Sequence, residues 1–376
     1  MRFRAKVRKS VLRWSTEAAM RGLRSLPRTR HPLKTNTILI IRFATLGESI
    51  LALPMVRALR ESFPGSHIAV LTKCRELWET VSDIDEVIDY NSINIGRLLA
   101  SKYRHFDLGI DTEPGNNASA ILARLLAKVA IGFATVNRGP MFDLSIPFND
   151  QQYEAQTFLD LLRPIGIALS FKELVPPVTT RKGPCLKEAR VMPVDKVNIG
   201  INVGASEGAR VRLWPLERFG ELIRLLDSRF RCRFVFFGLT NEQQLVRQLL
   251  PTLGSADVLD LTDKLSIDEL IRCVGRMDLM ISTDTGTMHL ASALKVPVFS
   301  FFGPNLPLRF APRNPGSTYF YHKTAWSPCI NVHLPTAGYD FKCPCNGDCV
   351  KAITVEEVFS SISAFMERTR RADVCA

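Results

Sequence analysis

Apolar residues in this chain fall in short continuous runs separated by stretches of helical periodicity, and the alternation repeats over most of the length. Residues 37–43 (TILIIRF) are apolar almost throughout and of strand length, as expected for a strand buried on both faces of a sheet. The turn Ala44-Thr45-Leu46-Gly47-Glu48 leads into a segment with apolar residues at Ile50, Leu53, Val56, Leu59 and Phe63, a helical stripe that Pro64-Gly65 ends. His67–Thr72 reads as the next strand, residues 87–90 as another and Phe106–Asp111 as a fourth. Residues 75–81, 95–102 and 117–128 read as the intervening helices, 130–133 as the start of a further strand and 153–165 as a helix. Such alternation predicts a parallel sheet with helices on both faces.

Between residues 169 and 195 the periodicity fails and Pro176, Pro177, Pro184 and Pro193 gather among polar residues, which marks a boundary between domains. The alternation then restarts. Val197–Asn202 is a strand, residues 203–213 a glycine-containing loop, and Trp214-Pro215 opens a helix through Leu226. Residues 233–237 form a strand ending in Gly238, followed by a helix over 241–250 and a short strand over 258–261. A helix over 266–276 carries a capping box, Ser266 with Glu269. The segment 280–307 (MISTDTGTMHLASALKVPVFSFFGPNLP) reads as strand, turn, short helix, strand, and an amphipathic helix over 354–368 closes the chain. The fold class is therefore α/β, with two open parallel-sheet domains. The expected divisions are a leader (1–36), an N-terminal domain (37–168), a linker (169–195), a C-terminal domain (196–353) and a final helix (354–376).

Composition changes this picture at one end only. Hydrophobic residues at 46% and charged residues at 23% are ordinary for a soluble globular protein, and no apolar run reaches the eighteen or so residues of a membrane-crossing helix. Residues 1–34 hold eleven Lys or Arg against Glu17 alone, which accounts for ten of the twelve net positive charges. The remaining body is nearly neutral, so a protein-wide nucleic-acid surface is excluded. The leader sets Val11, Leu12, Trp14, Ala18, Ala19, Leu23 and Leu26 among its basic residues, and either a basic amphipathic helix on an anionic membrane or a basic tail fits that pattern. Arg13, Glu17 and Arg21 interrupt the apolar block, which argues against a cleaved secretory signal.

The chemistry-bearing residues sit at strand-to-helix crossings. In 280–307, Asp284, Thr285, Gly286, Thr287 and His289 cluster at the start of the short helix. There the N–H groups suit a phosphate, and His289 shares the face of Thr285 and Gly286. Asp284 as an ordinary helix cap fits equally well. Glu48 follows Gly47 at the first crossing, as a partner of the helix dipole or as a base. The loop 202–215 (NVGASEGARVRLWP) offers Gly204, Ser206, Arg210 and Arg212 beside a helix start. Glu242 follows Gly238, either to take ribose hydroxyls or to stand as a solvated helix residue. Neither a P-loop nor a G-x-G-x-x-G fingerprint is present, which weakens NTPase and dehydrogenase readings. Of nine cysteines, Cys329, Cys343, Cys345 and Cys349 cluster. Their C-x13-C-x-C-x3-C spacing departs from the paired knuckles of structural zinc sites, so a reduced structural loop is expected and no metal. The scattered remainder suits a reducing compartment.

Taken in order, three stretches resemble glycosyltransferase family nine, the lipopolysaccharide heptosyltransferases and their relatives. They are ILIIRFATLGESILALPMVRALRESFPGSHIAVLT, RLWPLERFGELIRLL and DLMISTDTGTMHLASALKVPVFSFFGPNLPLRFAP. The resemblance runs from about Thr37 to the last helix and leaves out the leader. It implies a GT-B architecture, two Rossmann-like domains facing a central cleft. It also implies inverting transfer of a sugar, usually heptose from ADP-heptose, to a lipid-linked glycan. By resemblance Glu48 stands at the general base, where the family usually has Asp after Gly. The extra methylene displaces its oxygens by about a C–C bond length. Arg212 stands where the family often has a phosphate-binding Lys and is the second catalytic candidate. Gly204, Arg212, Glu242, Asp284, Thr285, Gly286, Thr287 and His289 form the donor set, and Thr45, Gly47, Asp111 and Asn117 the acceptor-side set. Ala118 replaces the cation that relatives carry before the Ser, which puts a phosphate-bearing acceptor in doubt.

On this reading Glu48 takes the acceptor proton while Arg212 and the helix-start N–H groups meet the charge on the leaving diphosphate. Domain closure would assemble the two halves. The expected co-substrate is a nucleotide-sugar, ADP-linked by resemblance. No metal cofactor is required for this scheme, since the donor-side motifs show no DxD-type metal pair. The expected partners are the donor, a lipid-linked glycan acceptor and an anionic membrane surface met by residues 1–34, at the cytoplasmic face of the inner membrane, with no nucleic acid. A nucleotide-sugar epimerase of the same plan and a degenerate nucleotide-sugar-binding protein are the alternatives.

Overall fold

Two all-parallel sheets carry the chain. The computed structural model describes residues 35–135, 137–177, 193, 195–204, 212–329, 343 and 345–375. The leader, with its expected membrane-binding helix, lies outside them, as do Ser206 and Arg210. The described residues divide into two compact units, one of 35–45 and 51–172, the other of 46–50 and those from Glu173 onward.

The first unit holds β1 (Thr37–Arg42), β2 (His67–Thr72), β3 (Glu86–Asp89), β4 (Phe106–Asp111), β5 (Ala127–Phe133) and β6 (Leu144–Ile146), in the order β3-β2-β1-β4-β5-β6. β1 pairs in parallel with both β2 and β4, with Ile38 between Ile68 and Leu108. Ile38, Leu39, Ile40 and Ile41 are all fully buried, which is why the run is apolar without alternation. Helices Leu46–Ser62, Ser92–Ser101 and Asn117–Leu126 cover the sheet.

The second unit repeats the plan with β7 (Val197–Asn202), β8 (Cys232–Phe236), β9 (Val258–Asp260), β10 (Leu279–Thr283), β11 (Val298–Phe302) and β12 (Thr318–Tyr321), in the order β12-β11-β10-β7-β8-β9. Its core packs Ile199, Ile201, Phe234, Phe236, Ile281 and Phe301 from the sheet against Phe219, Ile223 and Leu226 of helix Leu216–Arg229. Val358, Ile362 and Met366 of the last helix, Val355–Cys375, join the same core. Trp214 anchors the helix entrance. Its ring stacks on Phe301 with centroids 4.5 Å apart, meets Phe219 edge-on, and donates Nε1–H to the Ile353 carbonyl at 2.9 Å.

Both orders reverse direction beside the first strand of the unit, between β1 and β4 and between β7 and β10. In an open α/β sheet that reversal leaves a crevice beyond the strand ends. Several boundaries differ from expectation for local reasons. The helix Asn117–Leu126 stops earlier because Ala127 is already extended and opens β5. The helix expected over 153–165 is Glu154–Asp160 followed by a 3-10 turn, Arg163–Ile165, where Pro164 supplies no N–H for another α-turn. Pro215 sits at the cap of Leu216–Arg229 rather than inside its first turn. The edge strands β6 and β12 escape sequence reading because they are three and four residues long and only partly buried.

Candidate functional site

The predicted residues of the second unit gather at the reversal between β7 and β10. β10 ends at Thr283, and helix Gly286–Ala293 begins two residues later. Its cap position belongs to Thr285, extended at φ −137° and ψ 170°, and no side chain makes a capping bond there. The reading of Asp284 as a helix cap is therefore corrected: Asp284 stands one residue outside the helix. Its carboxylate, buried with 7% exposure, faces Arg212 Nη1 at 3.3 Å and His289 Nε2 at 4.0 Å and accepts from the Asn305 amide. The first N–H groups of any helix lack intrahelical acceptors. With no side-chain cap at Thr285, they are left for a ligand.

Asn202, the last residue of β7, fixes the neighbouring loop. Its Oδ1 accepts from Gly204 N–H at 3.1 Å, while its Nδ2 donates to the Phe237 carbonyl at 3.2 Å and reaches Thr287 Oγ1 at 3.5 Å. The Thr283 hydroxyl donates to the Gly204 carbonyl. A β-carbon on Gly204 would lie 1.9 Å from Glu242 Cγ, so only glycine lets the Glu242 side chain pass. Gly238, at φ +157°, meets the same side chain from the other side, with a would-be β-carbon 2.6 Å from Glu242 Cβ. Glu242 is 8% exposed and accepts the Leu239 N–H at 2.9 Å. It is a held, buried carboxylate at a strand end, not a solvated helix residue. Arg212 Nε and Asn305 Oδ1 are buried without hydrogen-bond partners among the described residues. Gly204, Arg212, Glu242, Asp284, Thr285, Gly286, Thr287 and His289 thus share one strand-end crevice. The chemistry on offer is unspent N–H donors, a guanidinium and an imidazole for a phosphate, with a carboxylate for hydroxyls.

Sequence reasoning missed Asn202, Thr283 and Asn305. The available signal was position: each ends, or follows by a few residues, a strand at the same edge of the sheet.

The other predicted residues divide between the units: Gly47 and Glu48 fall in the 46–50 segment that belongs with the second unit, where a β-carbon on Gly47 would lie 2.7 Å from His289 Cδ2, and Thr45, Asp111 and Asn117 lie in the first. Thr45 occupies the cap position of helix Leu46–Ser62 without a side-chain capping bond, and Glu48 is in the first turn, half-buried. Asn117 is the first residue of its helix, but the capping is done by Asn116, whose Oδ1 accepts from Ala118 N–H at 3.0 Å and Ser119 N–H at 3.4 Å. Asp111 is a correction. It is fully buried, paired with the Arg138 guanidinium, and accepts from the Ser119 hydroxyl at 2.9 Å and the Glu113 N–H at 3.0 Å. Burial pushes its pKa up to about 6 against the downward pull of Arg138 and those donors. It clasps the β4 turn to the Arg138 loop and presents no face to an acceptor. Beside it the buried Arg42 donates to the Thr112 carbonyl at 3.1 Å and reaches Glu113 at 3.5 Å.

The comparisons bear on both units. The chain is 29% identical over 221 residues to lipopolysaccharide heptosyltransferase 1 of Campylobacter coli, spanning 55% of this chain and 64% of that protein. The first curated relatives are matched over 53–64% of their own length. Among solved structures, glycosyl transferase family 9 from Veillonella parvula superposes with a TM-score of 0.71 at 20% identity, covering 90% of this chain and 99% of that one. The Escherichia coli ADP-heptose lps heptosyltransferase II superposes at 0.69 and 17% identity, covering 89% and 99%. These likenesses show a GT-B-like fold. The family model for glycosyltransferase family 9 (heptosyltransferase) matches residues 96–338, and the chain belongs to that family.

Proposed function

We propose that the chain is an inverting glycosyltransferase that moves heptose from ADP-heptose to a hydroxyl of a lipopolysaccharide core or another lipid-linked glycan. The observation that carries this reading is the uncapped start of helix Gly286–Ala293, with Arg212 beside it holding a donor unspent. A helix start of this kind, backed by a guanidinium, suits a diphosphate. The name of the E. coli structural neighbour supports an ADP-linked sugar.

In this scheme Arg212 and the N–H groups of Gly286 and Thr287 take the charge that grows on the leaving diphosphate. Glu242 receives ribose hydroxyls, and Glu48 removes the acceptor proton as its oxygen attacks the anomeric carbon. Thr45, Gly47 and Asn117 line the acceptor side. No helix among the described residues is long and apolar enough to cross a membrane. The basic residues 1–34 supply attraction to an anionic membrane face, where a lipid-linked acceptor resides.

A thermal-shift panel of ADP-, UDP- and GDP-linked sugars tests the donor. A ligand that binds only the folded state at a hundred times its Kd adds about 2.7 kcal/mol. ADP-heptose should give the largest rise in Tm; a larger rise with a UDP- or GDP-linked sugar would sink the assignment.

A further inference from the structure

Three neighbouring strands of the first unit end at one level. The register sets Arg42 beside Thr72 and Thr72 beside Asp89, so Phe43, Lys73 and Tyr90 are the first residues beyond β1, β2 and β3. Tyr90 N–H donates to the Thr72 carbonyl at 2.7 Å and keeps that level. The Phe43 and Tyr90 rings meet across the end of β2, with centroids 4.1 Å apart and planes tilted by 45°. Phe43 is anchored: its N–H donates to Glu113 Oε1 at 2.8 Å and its ring joins the core of the unit. Lys73 carries its ammonium back over both rings, 5.1 Å from the Tyr90 centroid and 5.5 Å from that of Phe43.

Ring faces hold a cation in place without neutralising its charge. Lys73 is exposed, and no carboxylate pairs with it among the described residues. Lys102 and Lys128 of the same unit do have carboxylate partners, Glu86 at 3.1 Å and Asp107 at 2.8 Å. Other cations at this end of the sheet are committed. Arg42 and Arg138 are fully buried and donate to the Thr112 and Glu113 carbonyls, and Arg75 bonds Glu79 at 2.7 Å. Helix Asn117–Leu126 brings no Lys or Arg in its first turn. Ligands of open parallel sheets bind beyond the carboxyl ends of the strands, and Thr45, on the acceptor side, is two residues past Phe43. A ring pair there suits the C–H face of a sugar, and an uncommitted ammonium suits an anionic oxygen group on it.

We propose that Lys73, set over the Phe43–Tyr90 pair, is an acceptor-binding residue that receives an anionic oxygen group of the glycan, a sugar carboxylate or a phosphate. The inference rests on the transferase reading and adds to it the charge of the acceptor. The rings fix where the ammonium stands and offer a face to the sugar that carries the group. The residue selects the acceptor and takes no part in the donor crevice, whose residues belong to the other unit.

The test is calorimetric titration of the full chain with two delipidated core fragments, one bearing sugar carboxylates and no phosphate, the other phosphorylated with its carboxylates reduced. ADP is the control ligand. At least one fragment should bind wild type, and the one bound more tightly identifies the group. Lys73→Met should weaken that fragment by about tenfold or more, Lys73→Arg should restore most of the affinity, and ADP affinity should not move. Tyr90→Leu should weaken the same fragment by a smaller factor. In turnover with a lipid-linked acceptor, Lys73→Met should raise KM for the acceptor and leave KM for the donor unchanged. Two results would each overturn the proposal: neither fragment binds wild type, or wild type and Lys73→Met bind both fragments equally. A fragment that binds through Lys73, with no ADP released when ADP-heptose and acceptor are added, would instead refute the transferase reading and leave the anion site standing.

Discussion

The Arg212–Asp284 pair lends itself to a double-mutant cycle. The charged atoms lie 3.3 Å apart, with side-chain exposures of 13% and 7%. At an effective dielectric near 20 their attraction is about 5 kcal/mol, an upper bound before desolvation. Each single change, Arg212→Met or Asp284→Asn, leaves the partner's charge half-satisfied in a mostly buried place. The cost of breaking a fully buried pair is about 3–5 kcal/mol; residual exposure and the Asn305 amide lower it here to about 2–3 kcal/mol each. Removing both partners removes the mismatch, so the double variant should be no less stable than either single one, with a coupling of about 2 kcal/mol. Urea unfolding of the four proteins measures stability, and ADP titration by calorimetry measures binding. Arg212→Met should also weaken ADP by at least tenfold. A coupling below about 0.5 kcal/mol would show that the pair is not formed, and unchanged ADP affinity would remove Arg212 from the diphosphate.

Other substitutions probe the remaining parts. Glu48→Gln keeps the shape and removes the base, so turnover should fall by about a hundredfold or more while ADP affinity holds; unchanged turnover would dismiss Glu48. Asp111 should reverse the usual acid profile. Its folded pKa lies above its unfolded one, so the native state binds more protons and stability falls as pH rises from about 4 through 6. Between pH 4 and 7 wild type should therefore lose up to about 3 kcal/mol relative to Asp111→Asn, read by urea midpoints; a flat difference, or a gain, would mean that Arg138 outweighs burial. Gly204→Ala drives a β-carbon into Glu242 and should cost about 1–3 kcal/mol along with donor affinity. Trp214→Ala should cost about 3–5 kcal/mol by denaturant unfolding, since it removes the stacked ring over Phe301 and leaves the Ile353 carbonyl with Arg218 Nη1 as its remaining donor.

The doubly wound plan was legible because strands buried on both faces are written as unbroken apolar runs, as at 37–43 and 197–202. So was the 283–289 turn, where small residues and a carboxylate stand between strand and helix. Pairings that depend on the strand order were not legible. Nothing local says that Asn305, past β11, will hold Asp284, past β10, or that Arg138 will neutralise Asp111 from 27 residues away. Asp111 was misread for that reason: an acid at a strand end looks available until the loop that buries it is placed. The Asp284 cap was a one-residue matter, since Thr285 and Asp284 are equally good caps on paper and only the backbone decides between them.

The most direct test of the transfer reaction is release of ADP from ADP-heptose, followed with and without a lipid-linked core acceptor. The account predicts ADP release that requires acceptor, matches the heptose gained by the lipid, and gives a product of inverted anomeric configuration. Consumption of ADP-heptose at the same rate without acceptor would contradict it, and so would a product that retains the donor's anomeric configuration.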